Sequence, residues 1–221
     1  MSKLHIFDMD GTLLTGSACL ELSRHMGQID AVNEIEARWS IGQVGHVEFY
    51  DLCLPLWKGL SDADVDTVFD RTPWLDGVED VWQDIARRGE HSAVITLSPQ
   101  FFADRLMRWG LGSAHGAGVY ADVVPDPVHV LTPDSKVKVA RQLIERYGLT
   151  DDDCVAYGDS ASDIPLFKVL SNTVGVNGSE GLREVSAVTY EGSDLREAYA
   201  AGRSLLDRGQ TTQRDGSIKL P

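Results

Sequence analysis

Short strand-like runs, each followed by a polar loop and then a helix-period segment, recur along this 221-residue chain. Residues 3–7, 91–95, 154–157 and 173–176 read as strands, with a further one at 119–124. Residues 77–88, 100–109, 135–147, 164–170 and 195–206 carry helical periodicity. Strands that alternate with helices need crossover connections and so pair in parallel, which predicts an α/β layer fold.

One stretch breaks the alternation. Between about residues 14 and 72 the chain shows helical periodicity at 17–26, 30–39, 44–54 and 61–71 and no strand-like run. Ser61 followed by Asp64 forms a capping-box pattern, and Pro55 argues for a helix stop. The expected organisation is an α/β core at residues 1–14 and 73–208, an inserted helical unit at 15–72 and a polar, non-periodic flexible tail at 209–221.

The formal net charge of -14, with no cluster of Lys and Arg, argues against nucleic acid and anionic membranes as partners. It permits a small anion if a cation reverses the sign locally. The cysteines Cys19, Cys53 and Cys154 are odd in number and lack zinc-ligand spacing, which suits free thiols in a reducing compartment. The N-terminal residues lack the apolar run of a signal peptide, and no stretch reaches the ~20 apolar residues of a membrane span. A cytoplasmic protein is expected.

The chemistry-bearing residues gather at the ends of strands, where open α/β sheets bind ligands. Asp8-Met9-Asp10-Gly11-Thr12 follows the first strand. Two carboxylates beside a glycine turn can divide their work, one holding a cation and attacking, the other trading a proton. A calcium loop of the EF-hand type fails on position, because its sixth and twelfth places hold Leu13 and Cys19. Gly158-Asp159-Ser160-Ala161-Ser162-Asp163 follows another strand. Four carboxylates at two strand ends repel unless a cation neutralises them, and all-oxygen donors point to Mg²⁺. Thr96 ends a strand just before a turn into a helix, a plausible oxyanion cradle. Lys136 lies in a first helical turn, where its charge opposes the helix dipole.

Taken in order, these four elements resemble the phosphatase motifs of the haloacid dehalogenase superfamily, and the likeness covers residues 3–176. The resemblance implies a Rossmann-like three-layer core with a parallel sheet and a helical C1 cap inserted after the first strand. The nearest likeness is to the phosphoserine-phosphatase-like branch. By that likeness Asp8 is the nucleophile and Asp10 the acid and base. Mg²⁺ is held by Asp8, Asp159 and the Asp10 carbonyl, with Asp163 orienting the site from behind. Gly11, Thr96, Leu97 and Lys136 surround the phosphoryl oxygens. The presence of Asp10 favours phosphate esters, whose leaving alkoxide needs a proton.

The likeness fails where phosphoserine phosphatases read their substrate. The glutamate that reads the amine is replaced by Ser17, and the cap arginine that grips the carboxylate falls on Cys53. The paired glycines after the strand-terminal hydroxyl are Leu97 and Ser98, and the Asn before the last Asp is Ser162. The expected substrate is therefore a small phosphorylated metabolite other than phosphoserine, turned over by a monomer or homodimer. Ser17, Trp39, Phe49, Cys53, Trp57 and Ser98 are the candidate pocket residues, with Tyr50, Arg38, His46 and Lys58 as further cap contacts. Packing alone is the plainer account of the cap aromatics. A phosphomutase of the same superfamily and a non-catalytic phosphate-binding module are the alternatives.

Overall fold

The computed structural model describes residues 2–119 and 127–215. The chain runs β1 (Leu4–Phe7), α1 (Ala18–His25), α2 (Ile29–Ser40), α3 (His46–Cys53), α4 (Asp62–Arg71), α5 (Val78–Arg87) and β2 (His91–Pro99). It continues with α6 (Gln100–Ala103), β3 (Ser113–Ala117), α7 (Pro133–Tyr147), β4 (Cys154–Gly158) and α8 (Ile164–Phe167). β5 (Thr173–Val176), α9 (Glu180–Arg183), β6 (Val188–Tyr190) and α10 (Leu195–Asp215) complete it. The six strands form one sheet in the order β3-β2-β1-β4-β5-β6, and every adjacent pair is parallel.

Alternation along the strands divides the core into two layers. Leu4 and Ile6 of β1, Ala93 and Ile95 of β2, and Cys154 and Ala156 of β4 pack against Ala140, Leu143 and Ile144 of α7 and Leu166 and Phe167 of α8. Phe7, Val94, Val155 and Tyr157 face the opposite layer, which includes Val81, Trp82 and Ile85 of α5 and Ala198 and Tyr199 of α10. Helices on both faces of a parallel sheet make the three-layer, Rossmann-like arrangement. The register Phe7↔Val94 and Phe7↔Tyr157 brings the loop after β1 between the ends of β2 and β4.

The residues after Asp10 leave the sheet for the helical block and return beside their exit. Thr15 N–H donates to the Pro73 carbonyl at 2.9 Å, and Leu75 N–H donates to the Leu13 carbonyl at 2.8 Å. Between these crossings stand α1 to α4, with no strand among them. Ser17 caps α1 by accepting from Leu20 N–H, and Ser61 with Asp64 forms the expected capping box on α4. Trp57 fills the middle of the block, fully buried, with its Nε1–H donating to Ser23 Oγ at 2.8 Å. Burying such a side chain contributes about 1.5–3 kcal/mol.

Several boundaries differ from the sequence reading. The third strand lies at Ser113–Ala117. Its run, Ser-Ala-His-Gly-Ala, has no β-branched or aromatic residue and carries little strand propensity. The expected strand at 119–124 falls outside the described residues except for Val119, which is not in a strand. The helix expected at 100–109 is a short α-helix followed by 3₁₀ turns, Asp104–Trp109. β6 and α9, three and four residues long, are too short to show a period in the sequence. The last helix continues to Asp215, past Leu206 where the sequence reading ends it and into the expected tail, the rest of which lies outside the described residues. Among the described residues, no helix is long and apolar enough to cross a membrane.

Candidate active site

β1 ends at Phe7, and the next residue, Asp8, is held by its neighbours on the sheet. Its backbone N–H donates to the Tyr157 carbonyl at 2.9 Å, and its own carboxylate accepts from Met9 N–H at 2.8 Å. Gly11 follows at φ +72°, and a Cβ there would lie 2.2 Å from Asp159 Oδ2. Only glycine lets the two acidic loops approach this closely. Gly158 does the same on β4, because a Cβ on it would stand 2.5 Å from Asp163 Cγ.

Lys136, in the first turn of α7, is fully buried beneath these loops. Its Nζ lies 2.9 Å from Asp8 Oδ2, 2.7 Å from Asp163 Oδ1 and 3.1 Å from Ser162 Oγ. Asp163 also accepts from the backbone N–H groups of Asp159 and Ser160, at 3.1 and 3.2 Å. Burial acts to lower the Lys136 pKa, but the Asp163 and Asp8 carboxylates outweigh it and the pKa is raised. Asp8 shifts the other way for an acid paired with a lysine: burial, then repulsion from Asp163, raises its pKa well above the usual range despite Lys136. The two shifts are reconciled by sharing. One ammonium cannot balance two buried carboxylates, and Asp163, with the shorter contact and two backbone donors, claims it.

With all the carboxylates ionised, the site would carry more negative charge than Lys136 balances. Burial and Asp163 raise the Asp159 pKa to about 7, against an opposing pull from Lys136. Oxygens of Asp8, Asp159 and Asp163 lie within 4.8 Å of one another, so the three could converge on one metal ion. Hard carboxylate donors with an uncompensated charge suit a small divalent cation. The donor set thus fits Mg²⁺.

Asp10 stands apart from this cluster. Ala18 N–H, at the start of α1, donates to its Oδ1 at 2.8 Å, and the Ser98 hydroxyl donates to its Oδ2. Burial raises its pKa to about 6 against these two hydrogen bonds. A carboxyl in that range exchanges a proton readily near neutral pH. Thr96 is fully buried below the wall, its hydroxyl oxygen accepting from Ser98 N–H at 3.1 Å.

Above these groups opens a cavity of about 460 Å³ between the sheet and the helical block. Asp8, Asp10, Gly11, Leu97 and Asp159 lie at its floor, and Ser17, Trp39, Phe49 and Ser98, four of the pocket candidates, line its walls. Cys53 and Trp57 do not. Both are fully buried in the core of the helical block, where Trp57 spends its indole N–H on Ser23. Of the further cap contacts, His46 and Tyr50 line the cavity whereas Arg38 and Lys58 do not. Tyr50 also reaches across to the core, its hydroxyl donating to the Leu97 carbonyl.

Sequence reasoning missed Glu36, which lines the cavity and accepts a hydrogen bond from Ser17 Oγ at 2.5 Å. A signal existed. Glu36 stands three residues before Trp39 on α2, so a helix that turns Trp39 to the cavity turns Glu36 there too.

Comparisons with known proteins agree with this geometry. The family model of haloacid dehalogenase-like hydrolases matches residues 6–168. A phosphoserine phosphatase of Methanocaldococcus jannaschii is 25% identical over 203 residues, covering 88% of this chain and 95% of that protein. One of Archaeoglobus fulgidus is 23% identical over 210 residues, but there the match spans 92% of this chain and only 60% of the relative. Among solved structures, a phospho-aspartyl intermediate analogue of phosphoserine phosphatase superposes with a TM-score of 0.74 at 25% identity, covering 89% of this chain and 96% of that one. With the motif-bearing strand ends and the fold in agreement, the chain belongs to the haloacid dehalogenase-like hydrolases.

Proposed function

We propose that this protein is a Mg²⁺-dependent phosphatase that hydrolyses a small phosphomonoester other than phosphoserine through an aspartyl-phosphate intermediate. The observation that carries the reading is the convergence of Asp8, Asp159, Asp163 and Lys136 beneath a cavity whose floor also presents Asp10. The relatives named phosphoserine phosphatase support the reaction class.

In the first half-reaction an Asp8 carboxylate oxygen attacks phosphorus in line. The P–O ester bond breaks as Asp10 gives its proton to the leaving alkoxide. In the second, Asp10, now a carboxylate, takes a proton from water as that oxygen attacks phosphorus. The bond to Asp8 breaks and inorganic phosphate leaves. Asp10 is suited to both halves because its pKa near 6 makes either protonation state accessible. Lys136 draws charge from the phosphoryl oxygens, and Thr96, whose hydroxyl oxygen accepts from Ser98 N–H, would turn its O–H toward them. Asp8, Asp159 and the Asp10 backbone carbonyl would hold Mg²⁺, while Asp163 fixes Lys136 and the Asp159 loop. When bound, the metal offsets the repulsion between a carboxylate nucleophile and an anionic phosphate.

The helices of residues 15–72 act as the cap that closes over the substrate. Exclusion of phosphoserine rests on the walls: among the described residues lining the cavity, none is Lys or Arg to meet a substrate carboxylate. Free, buried Cys19, Cys53 and Cys154 fit a reducing, cytoplasmic setting.

The test is phosphate release from a panel of small phosphomonoesters, with Mg²⁺ and with chelator, using Asp8→Asn as control. Metal-dependent release that disappears in the variant is expected. Efficient turnover of phosphoserine with a low KM would overturn the substrate claim, and release that persists in Asp8→Asn would overturn the mechanism.

A further inference from the structure

The cavity holds one carboxylate that the phosphoryl chemistry does not use. Glu36 lies on the wall contributed by α2, and the Ser17 hydroxyl fixes one of its oxygens at 2.5 Å. Among the described residues it forms no ion pair. Its nearest cationic neighbour along α2, Arg38, turns outward toward Glu48 at 3.9 Å and does not line the cavity. Next to Glu36 the wall is aromatic. The Trp39 and Phe49 rings are 5.8 Å apart between centroids, and the Phe49 and Tyr50 rings are 5.6 Å apart. His46 is the one basic side chain among the described lining residues, and burial lowers its pKa, favouring the neutral ring.

Resting on the phosphatase reading above, we propose that Glu36 sets specificity, and that the substrate is a phosphomonoester whose alcohol carries a cationic amine and no carboxylate. A protonated amine finds there the two features that recognise it: a carboxylate held in place and aromatic side chains on the same lining. The substrate's two ends are then read by opposite signs, the phosphate by Lys136 and the amine by Glu36. A carboxylate on the alcohol would meet Glu36 and Asp10 with no lysine or arginine on the wall, a repulsion that rejects acidic esters. Ser17 contributes indirectly. As the N-cap of α1, it uses its hydroxyl to support a carboxylate supplied by the next helix.

The experiment compares kcat/KM across chain-matched esters: an ω-aminoalkyl phosphate, its N-acetyl form, the n-alkyl phosphate and the ω-carboxyalkyl phosphate. p-Nitrophenyl phosphate serves as a generic ester. The series is run with Mg²⁺ on the wild type and on Glu36→Gln, whose amide keeps the shape and can still accept from Ser17. The amine ester is expected to exceed its N-acetyl form by about ten-fold or more, the scale of a charge-assisted contact. In Glu36→Gln that ratio is expected to collapse to within about two-fold. As a reading independent of turnover and of that variant's folding, calorimetric binding to Asp8→Asn should show the same amine preference. Turnover of p-nitrophenyl phosphate with no preference for the amine, or a preference that survives in Glu36→Gln, overturns this inference alone. No release from any ester, p-nitrophenyl phosphate included, overturns the phosphatase reading and this inference with it.

Discussion

Replacing Lys136 by Met keeps a long, slender side chain and removes one charge from a place with no solvent. Asp163 and Asp8 then lose contacts of 2.7 and 2.9 Å. Breaking a buried ion pair by deleting one partner costs about 3–5 kcal/mol. An upper limit follows from the escape open to the stranded carboxylate, which is to take up a proton. From an ordinary value near 3.9, at about 1.4 kcal/mol per pH unit, that costs about 5 kcal/mol at pH 7.5 but about 2 kcal/mol at pH 5.5. The sign is fixed: the variant's folded state holds a proton that its unfolded state has released, so its deficit grows with pH. In urea titrations with chelator present, Lys136→Met should lose about 3–5 kcal/mol at pH 7.5, and no more than about 2 kcal/mol at pH 5.5. For a chain of this size that is a fall in Tm of about 6–20 °C at the higher pH. A loss below about 1 kcal/mol at pH 7.5, or the same loss at both values, would refute the view of Lys136 as the counter-ion of a buried carboxylate pair.

Asp10→Asn should slow turnover of an alkyl phosphate by about 10²–10⁴-fold, because the leaving alkoxide has no proton donor. With p-nitrophenyl phosphate, whose leaving group needs none, the variant should release one equivalent of nitrophenolate in a burst and then stall; steady turnover near the wild-type rate would exclude the role. A second pH effect lies behind the sheet, where His5 contacts Tyr157 at 3.2 Å and Glu90 at 3.1 Å. Burial, which outweighs Glu90, lowers the His5 pKa from 6.5, so the ring is neutral when folded and donates Nε2–H to the carboxylate. The unfolded chain takes the proton first, so this contribution to stability is present above 6.5 and is lost as pH falls below it. His5→Gln should unfold with a shallower pH dependence than the wild type between pH 7 and 5.5, by up to about 1.4 kcal/mol per unit, and an identical slope would remove His5 as the source.

The core strands and the acidic loops after them were legible because strand ends and glycines constrain few alternatives. Asp8, Lys136 and the loop that carries Asp159 and Asp163 lie far apart in sequence; the parallel register of β1 and β4 joins the two acidic loops, and the packing of α7 brings Lys136 to them. What escaped detection was of two kinds. β3, made of Ser, Ala, His and Gly, forms because β2 offers an edge to pair with, which is tertiary context rather than local preference. The cap was harder still, because a helix shows which residues share a face but not which face meets the cavity. Trp57 and Cys53, pocket candidates by sequence, lie in the core, while Glu36, one turn from Trp39 on the same face of α2, lines the cavity. Ser17, by contrast, stands out in the sequence for what it lacks, and only the fold reveals its use as a support for Glu36.

The setting of Asp10 has a consequence for how the two halves of the molecule work together. One of its oxygens is satisfied by Ala18 N–H at the root of the helical block and the other by Ser98 on the sheet. The Tyr50 hydroxyl ties the block to Leu97, the residue just before Ser98. The acid is thus clamped by both jaws at once, and lifting the upper jaw strips half of its support. Such an interlock ties proton transfer to a shut chamber: while the chamber is open, Asp10 is poorly held either to protonate a departing alkoxide or to take the proton of an attacking water.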